Sequence, residues 1–253
     1  MMEEDLLDLL KTSSTDFLSG EELSRRLNVS RTAIWKRIRR WRSLGYEIEA
    51  SPRLGYRLIR SPDRLMPAEV KPILKTRWLG RALHYFESLD STNRKAYELA
   101  SHGAKEGEIV IAESQTKGKG RLGRSWFSPP YVNLYLSIIL APQILPQQAS
   151  LITLMAAVAT ANAIERASGI TPSIKWPNDI LIRGRKVAGL LNEIQSETDR
   201  IHFIILGIGV NLNADEEMFP KELRSMATSI KREKGGTISR SCLLYTSPSP
   251  RDS

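Results

Sequence analysis

Four cations spaced by three glycines, Lys117-Gly118-Lys119-Gly120-Arg121-Leu122-Gly123-Arg124, form the stretch best suited to handling an anion. Glycine lets backbone N–H groups approach a phosphate or carboxylate closely, and Lys and Arg neutralise it. Gly118 to Gly123 also matches G-x-G-x-x-G, but a dinucleotide fold needs a helix directly afterwards. Here Trp126-Phe127-Ser128-Pro129-Pro130 follows, and the two prolines forbid one. A phosphate loop fails as well, since no Lys is followed by Ser or Thr at the required spacing. Taken alone, the segment is also readable as a basic surface loop. Three further groups could join it. Lys175 stands beside Trp176-Pro177 at the end of a strand, as a point charge for an anion. Asp90-Ser91-Thr92-Asn93 puts hydroxyls and free N–H groups at a helix start, where ordinary capping is the alternative. Gly207 and Gly209 alternate in an apolar strand, which marks either a ligand pressed on the backbone or tight packing of a neighbour.

These residues need strands and helices to hold them. LHYFESL (83–89), EIVIAE (108–113), NLYLSIIL (133–140) and the run from Phe203 to Val210 read as strands. Arg183-Gly184-Arg185-Lys186 reads as a hairpin turn. Ala149 to Ala167 predicts a long helix whose apolar stripe is Leu151, Leu154, Met155, Val158, Ala161 and Ile164, ended by Gly169. No charged residue occurs from Ser125 to Ile164, but Pro129, Pro130, Pro142 and Pro146 interrupt the run, so it reads as buried core and not as a membrane span.

The first 62 residues form a separate pattern. Ser19-Gly20-Glu21-Glu22 is a capping box, Asn28-Val29-Ser30 a turn, and RTAIWKRIRRWRSLG a helix ended by Gly45. Ile34, Ile38 and Trp41 give that helix one apolar side; its other charges are all basic. Two short alternating segments around Ser51-Pro52-Arg53-Leu54-Gly55 form a wing. This is a winged helix-turn-helix, and Arg31, Thr32, Lys36, Arg37, Arg40 and Arg53 are its candidate DNA contacts. A protein-binding winged helix is the alternative.

Composition agrees with anionic partners: 37 Lys and Arg against 28 Asp and Glu give a formal charge of +9 over 253 residues. One cysteine, Cys242, excludes an internal disulfide framework, and the acidic start MMEEDLLDLL lacks the basic region of a signal peptide, so a cytoplasmic protein is expected.

Five motifs in order carry a resemblance: Ser91-Thr92-Asn93; Gln115 to Arg124 continuing through Ser125-Trp126-Phe127-Ser128-Pro129; Lys175-Trp176-Pro177-Asn178-Asp179; Lys186-Val187-Ala188-Gly189-Leu190-Leu191; and Gly207-Ile208-Gly209-Val210-Asn211-Leu212-Asn213. Together they resemble the biotin protein ligase family in its bifunctional form, which is also the biotin operon repressor. The resemblance implies an α+β protein: the winged helix (1–62), a linker (63–79) and a mixed-sheet α/β catalytic domain of the biotin/lipoate ligase, class II synthetase-like type (80–240). The family continues into a small SH3-like C-terminal domain that is missing here. Residues 241–253 look like a non-family, disordered Ser/Pro tail.

The implied reaction has two steps. Biotin and MgATP give biotinyl-5′-AMP, and biotin then passes to a lysine of the biotin carboxyl carrier domain of acetyl-CoA carboxylase. Biotin and ATP are substrates, Mg2+ accompanies ATP, and no set of metal-ligating residues is assigned. The resemblance assigns Ser91, Thr92, Asn93, Gln115, Lys119, Gly120, Arg121, Lys175, Gly207 and Gly209 to biotin. It assigns Arg124, Trp126, Asn178, Asp179 and Asn211 to the nucleotide, with Trp126 on adenine and Asn211 on nucleotide or metal. Lys175, Arg121 and Lys119 would be catalytic, by offsetting charge where carboxylate and α-phosphate meet. The adenylate-bound form is expected to dimerise and bind operator DNA. A DNA-binding biotin sensor without ligase activity, or a lipoate-type relative, remains open.

Overall fold

The computed structural model describes residues 4–13, 15–74 and 76–246 and divides the chain into two compact units, Met1–Asp63 and Arg64–Ser253. In the first unit, helices α1 (Glu4–Thr12), α2 (Gly20–Leu27) and α3 (Arg31–Ser43) precede a hairpin of β1 (Glu47–Ser51) and β2 (Gly55–Arg60). The Ser19 and Ser30 hydroxyls cap α2 and α3, accepting from the N–H groups of Glu22 and Ala33. Glu22 does not reach back to complete a capping box; its carboxylate pairs with Arg26 at 2.6 Å, one turn on. Asn28 makes the tight turn in the left-handed region at φ 50°. Gly55 must be glycine: its φ is +108°, and a Cβ there would lie 2.1 Å from the Leu18 carbonyl.

The second unit is built on a seven-stranded sheet in the order β3-β4-β5-β9-β8-β7-β6. The strands are β3 (Leu83–Phe86), β4 (Ile109–Ala112), β5 (Leu134–Leu140), β6 (Ser173–Lys175), β7 (Asp179–Ile182), β8 (Arg185–Ser196) and β9 (Ile201–Val210). Only β3 and β4 run parallel, so the sheet is mixed. Helix α4 is Pro67–Val70, α5 Thr92–Ser101, α6 Ala149–Ser168, α7 Ile230–Lys234 and α8 Arg240–Thr246. Alternation along the strands divides the core. Val110, Ile139 and Ile205 turn to Ala96 of α5. Ile109, Ile111, Leu136, Ile180, Leu190 and Leu206 turn the other way, into the larger cluster with Ala157 and Ile164 of α6 and Leu243 of α8.

Three expectations need correction. Residues 63–79 are not a free linker. Leu65, Ala68 and Val70 are buried, with Leu65 and Val70 in the main core, because α4 lays its apolar side on the sheet. Residues 241–246 are not a disordered tail but the body of α8. Leu243 and Leu244 pack into the main core and Arg240 is fully buried. Residues 247–253 lie outside the described part. Finally, α6 buries only the C-terminal part of its predicted stripe, Ala161 and Ile164. Leu151, Leu154, Met155 and Val158 are 52, 39, 48 and 44% exposed, while Ala156, Ala157, Thr160, Ala161, Ala163 and Ile164 face inward. The sheet presents large Ile and Leu side chains, and small residues on the helix let the two surfaces approach.

Candidate functional site

The basic loop is an irregular hairpin, not a free excursion. Cross-loop backbone bonds join Tyr131 N–H to Glu113 O, Gln115 N–H to Ser128 O, Trp126 N–H to Gly118 O and Gly120 N–H to Arg124 O. The tip, Arg121–Gly123, is a single 3-10 turn with Leu122 at φ 56° and 89% exposed. Gly118 is glycine because a Cβ would lie 2.5 Å from the Trp126 carbonyl across the hairpin.

Beneath the loop is a narrow cleft of ≈ 50 Å³ on the α5 side of the sheet. The paired glycines Gly189 of β8 and Gly209 of β9 form its floor. The Trp126 ring lies across them, 2.9 and 2.6 Å from where their Cβ atoms would be. The start of α5 forms the wall. Gln115 Oε1 accepts from the Thr92 N–H (2.8 Å) and hydroxyl (3.1 Å), while its amide donates to Ser128 Oγ (2.9 Å). The buried Ser137 hydroxyl lies 2.8 Å from Thr92 Oγ1 and 2.7 Å from Asn93 Oδ1 and donates to one of them. Asn93 Nδ2 donates to Glu193 at 2.8 Å. The helix start is therefore not capped by solvent-facing hydroxyls: Ser91, Thr92 and Asn93 are buried, and the Ser91 side chain makes no cap bond.

Three cations converge on this cleft. Lys119 pairs with Glu193 at 2.9 Å, Arg121 donates to Asn178 Oδ1 at 3.0 Å, and Lys186 pairs with Asp179 at 2.6 Å. The Lys186 ammonium also sits 5.2 Å from the Trp126 ring centroid. Among the described residues the Trp126 indole N–H is buried without a hydrogen-bond partner, an orphan donor facing a polar cleft. The chemistry available is electrostatic: two cations on a loop and one on a strand, over a backbone floor that admits a ligand closely.

The structure gathers Ser91, Thr92, Asn93, Gln115, Lys119, Gly120, Arg121, Trp126, Asn178, Gly207 and Gly209 around the cleft. Gly207 answers a protein contact: its missing Cβ would lie 2.0 Å from Asn93 Oδ1. Asp179 enters through its pairing with Lys186. Arg124 is exposed and does not line the cleft; with Lys119 and Arg121 it borders the open space between the loop and Glu193 of β8. Lys175 is exposed and does not line the cleft, contrary to expectation. The β6–β7 hairpin puts it at the sheet edge, where Lys175 pairs in register with Asp179. Asn211 is also displaced from its expected place. It is 4% exposed and its amide is spent inside the fold, on Thr228 O (3.1 Å) and Asn133 (3.5 Å). The sequence reading passed over Lys186 and Glu193. Lys186 had a signal, as the first residue of the Lys186–Leu191 motif. Glu193 had none, because its role comes only from the pairing of β8 with β9.

In the first unit, burial of Ile34, Ile38 and Trp41 sets the orientation of α3. At about 100° per residue, Thr32, Lys36, Arg39 and Ser43 lie opposite that side, and all are exposed. Arg40 and Trp35 flank them. Trp35 is 48% exposed with the Arg39 guanidinium 4.8 Å from its ring centroid. Arg39 was not among the expected contacts, while Arg37, which was, lies nearer the buried side and is half-buried. Arg31 pairs with Glu21 at 2.8 Å, and Arg53 is exposed in the β1–β2 turn. No helix among the described residues is long and apolar enough to cross a membrane.

The family model described as the biotin/lipoate A/B protein ligase family matches residues 85–211, and one described as an HTH domain matches residues 3–57. The bifunctional ligase/repressor BirA of Bacillus subtilis is 45% identical over 243 residues, 96% of this chain and 75% of that protein. Among solved structures, the biotin protein ligase from Aquifex aeolicus in complex with biotin and ATP is similar at 31% identity. Its TM-score is 0.56, over 66% of this chain and 69% of that one. The Leishmania major biotin protein ligase in complex with biotinyl-5-AMP is similar at 25% identity, with a TM-score of 0.53 over 66 and 72% of the two chains.

Proposed function

The chain belongs to the biotin/lipoate A/B protein ligase family, of the BirA type, and from that premise we propose how its two units work. It is a biotin protein ligase that is also a DNA-binding repressor. The biotin carboxylate attacks the α-phosphorus of ATP and pyrophosphate leaves. A lysine amine of the acceptor then attacks the carbonyl of biotinyl-5′-AMP, and AMP leaves with its electron pair. Neither step requires a nucleophile from this chain. The first brings two anions, carboxylate and triphosphate, together against repulsion, and the second builds negative charge on the carbonyl oxygen and the departing AMP; both are work for preorganised positive charge.

The observation that carries the residue roles is the convergence of Lys186, Lys119 and Arg121 on a glycine-floored cleft. Lys186 is fixed on β8 by Asp179 and bridges the carboxylate and the α-phosphate. Lys119 and Arg121 exchange Glu193 and Asn178 for ligand oxygens when the loop settles on the adenylate. Thr92, Asn93 and Gln115 orient the biotin ring system, and Trp126 swings from the glycine pair to serve as a wall for the bound ligand. Among the described residues no group of three or more His, Cys, Asp or Glu could hold a metal. Magnesium enters as part of the MgATP substrate, held mainly by phosphate oxygens. The acceptor is a biotin carrier domain. The adenylate-bound chain pairs with a second copy, and the two α3 helices read operator DNA in the cytoplasm.

Biotin-dependent ATP–pyrophosphate exchange tests the first step, and transfer of labelled biotin to a carrier domain the second. Exchange without biotin dependence, or exchange driven equally by lipoate, would overturn the substrate assignment. Operator affinity that ignores biotin plus ATP would overturn the coupling.

A further inference from the structure

The most deeply buried ionic group of the second unit lies outside the cleft. Arg240 and Glu113 are both fully buried and meet at 2.6 Å. Glu113 Oε1 also accepts from the Leu65 N–H at 3.0 Å and the Tyr85 hydroxyl at 3.1 Å. Burial, reinforced by the Glu113 carboxylate, pushes the Tyr85 phenol far above its ordinary value, so it stays a donor. Arg240 reaches further: the same nitrogen that meets Glu113 donates to Asn133 O at 3.2 Å.

The places of these partners in the chain matter. Glu113 stands two residues before Gln115, where the basic loop begins, and Asn133 stands just before β5, after the loop has returned. Glu113 O also accepts the Tyr131 N–H at 3.3 Å. One guanidinium, delivered by the terminal helix α8, therefore spans both stems of the loop. A buried ion pair is weak evidence for stability, since an apolar pair of similar volume often does as well. Keeping full charges here calls for another account.

We propose that Arg240 and Glu113 are positioning residues that staple the two stems of the 116–130 loop and so set how the loop closes over biotin. The root of the loop carries Gln115 and Ser128, which hold Thr92 in the cleft wall. A stem that splays by a fraction of an ångström displaces this network and, through the cross-loop bonds, Lys119 and Arg121 above it. Neither Arg240 nor Glu113 lines the cleft, so the effect falls on ligand capture and not on a chemical role. The inference rests on the ligase reading only for its kinetic measurement.

The test compares wild type with Arg240→Met and with the double variant Glu113→Gln/Arg240→Met. The single variant strands a buried carboxylate and is expected to lose stability; the double removes both charges and is expected to regain it. Two readouts follow in the whole chain. One is the rate of tryptic cleavage without ligand at Lys117, Lys119, Arg121 and Arg124. The other is KM for biotin and kcat in pyrophosphate exchange. With a staple, the double variant melts near wild type yet is cut about tenfold faster and has KM for biotin raised about tenfold, with kcat changed much less. A double variant with wild-type melting, cleavage and KM would overturn the proposal. If neither variant folds, Tyr85→Phe, which removes one hydroxyl from Glu113, is expected to shift cleavage and KM in the same direction, and no shift would overturn it. Absent exchange in wild type with faster cleavage in the variants would refute the ligase reading and leave the staple standing.

Discussion

Replacing Lys186 by Met separates catalysis from folding at one position. The Lys186–Asp179 pair is partly exposed, at 32 and 27% of the two side chains, so its loss costs about 1 kcal/mol or less of stability. Methionine keeps most of the stem that packs near Trp126. In a unit of this size such a loss lowers Tm by about 2–4 °C. Catalysis is expected to lose far more. Removing one preorganised charged donor from a site of developing charge costs about 2.7–4 kcal/mol, or about 10²–10³ in rate. Lys175→Met is the paired control. Lys175 is exposed at the sheet edge and does not line the cleft, so its variant should keep wild-type exchange within a few-fold. The assay is biotin-dependent pyrophosphate exchange at saturating ATP, with melting curves for each variant. If Lys175→Met loses as much activity as Lys186→Met, or Lys186→Met keeps more than about a tenth of the rate, the assignment of the bridging charge is wrong.

Gly207→Ala should destabilise the second unit by about 1–3 kcal/mol or more, because its Cβ would lie 2.0 Å from Asn93 Oδ1 and β9 is paired on both sides. Gly236→Ala, with open space around it, should be near neutral in the same urea titration. Arg39→Ala should weaken binding to duplexes selected by wild type by about 1–3 kcal/mol, and Arg37→Ala much less. Trp35→Ala should weaken it in the same direction by freeing Arg39 from its stack; equal losses for Arg37 and Arg39 would refute the deduced face of α3. The Glu108 carboxyl is influenced most by burial, which raises it. The Lys105 N–H and His84 outweigh this and hold it below its ordinary 4.5. Its contribution to stability is thus present above 4.5 and is lost as pH falls through the lower folded value. Glu108→Gln should be less stable than wild type near neutrality, and the gap should close in acid.

The sequence by itself determined much of this protein. Caps at Ser19 and Ser30, the apolar spacing of Ile34, Ile38 and Trp41, and alternation around Arg53 specify the winged helix, because each signal is local and needs no distant partner. The loop glycines and cations are legible for the same reason. Both lysines open a legible motif, and tertiary structure decided which of them lines the cleft, because strand pairing puts Lys186 beside it and Lys175 at the sheet edge. It turned α6 to bury alanines instead of the larger residues that open its stripe, because helix and sheet must be complementary in volume, which no single helix encodes. It also folded Arg240 back onto Glu113, 127 positions away. In the sequence, Arg240 reads as the last cation before a Ser/Pro tail; only the low-dielectric interior between α8, β3 and β4 makes it an ion pair.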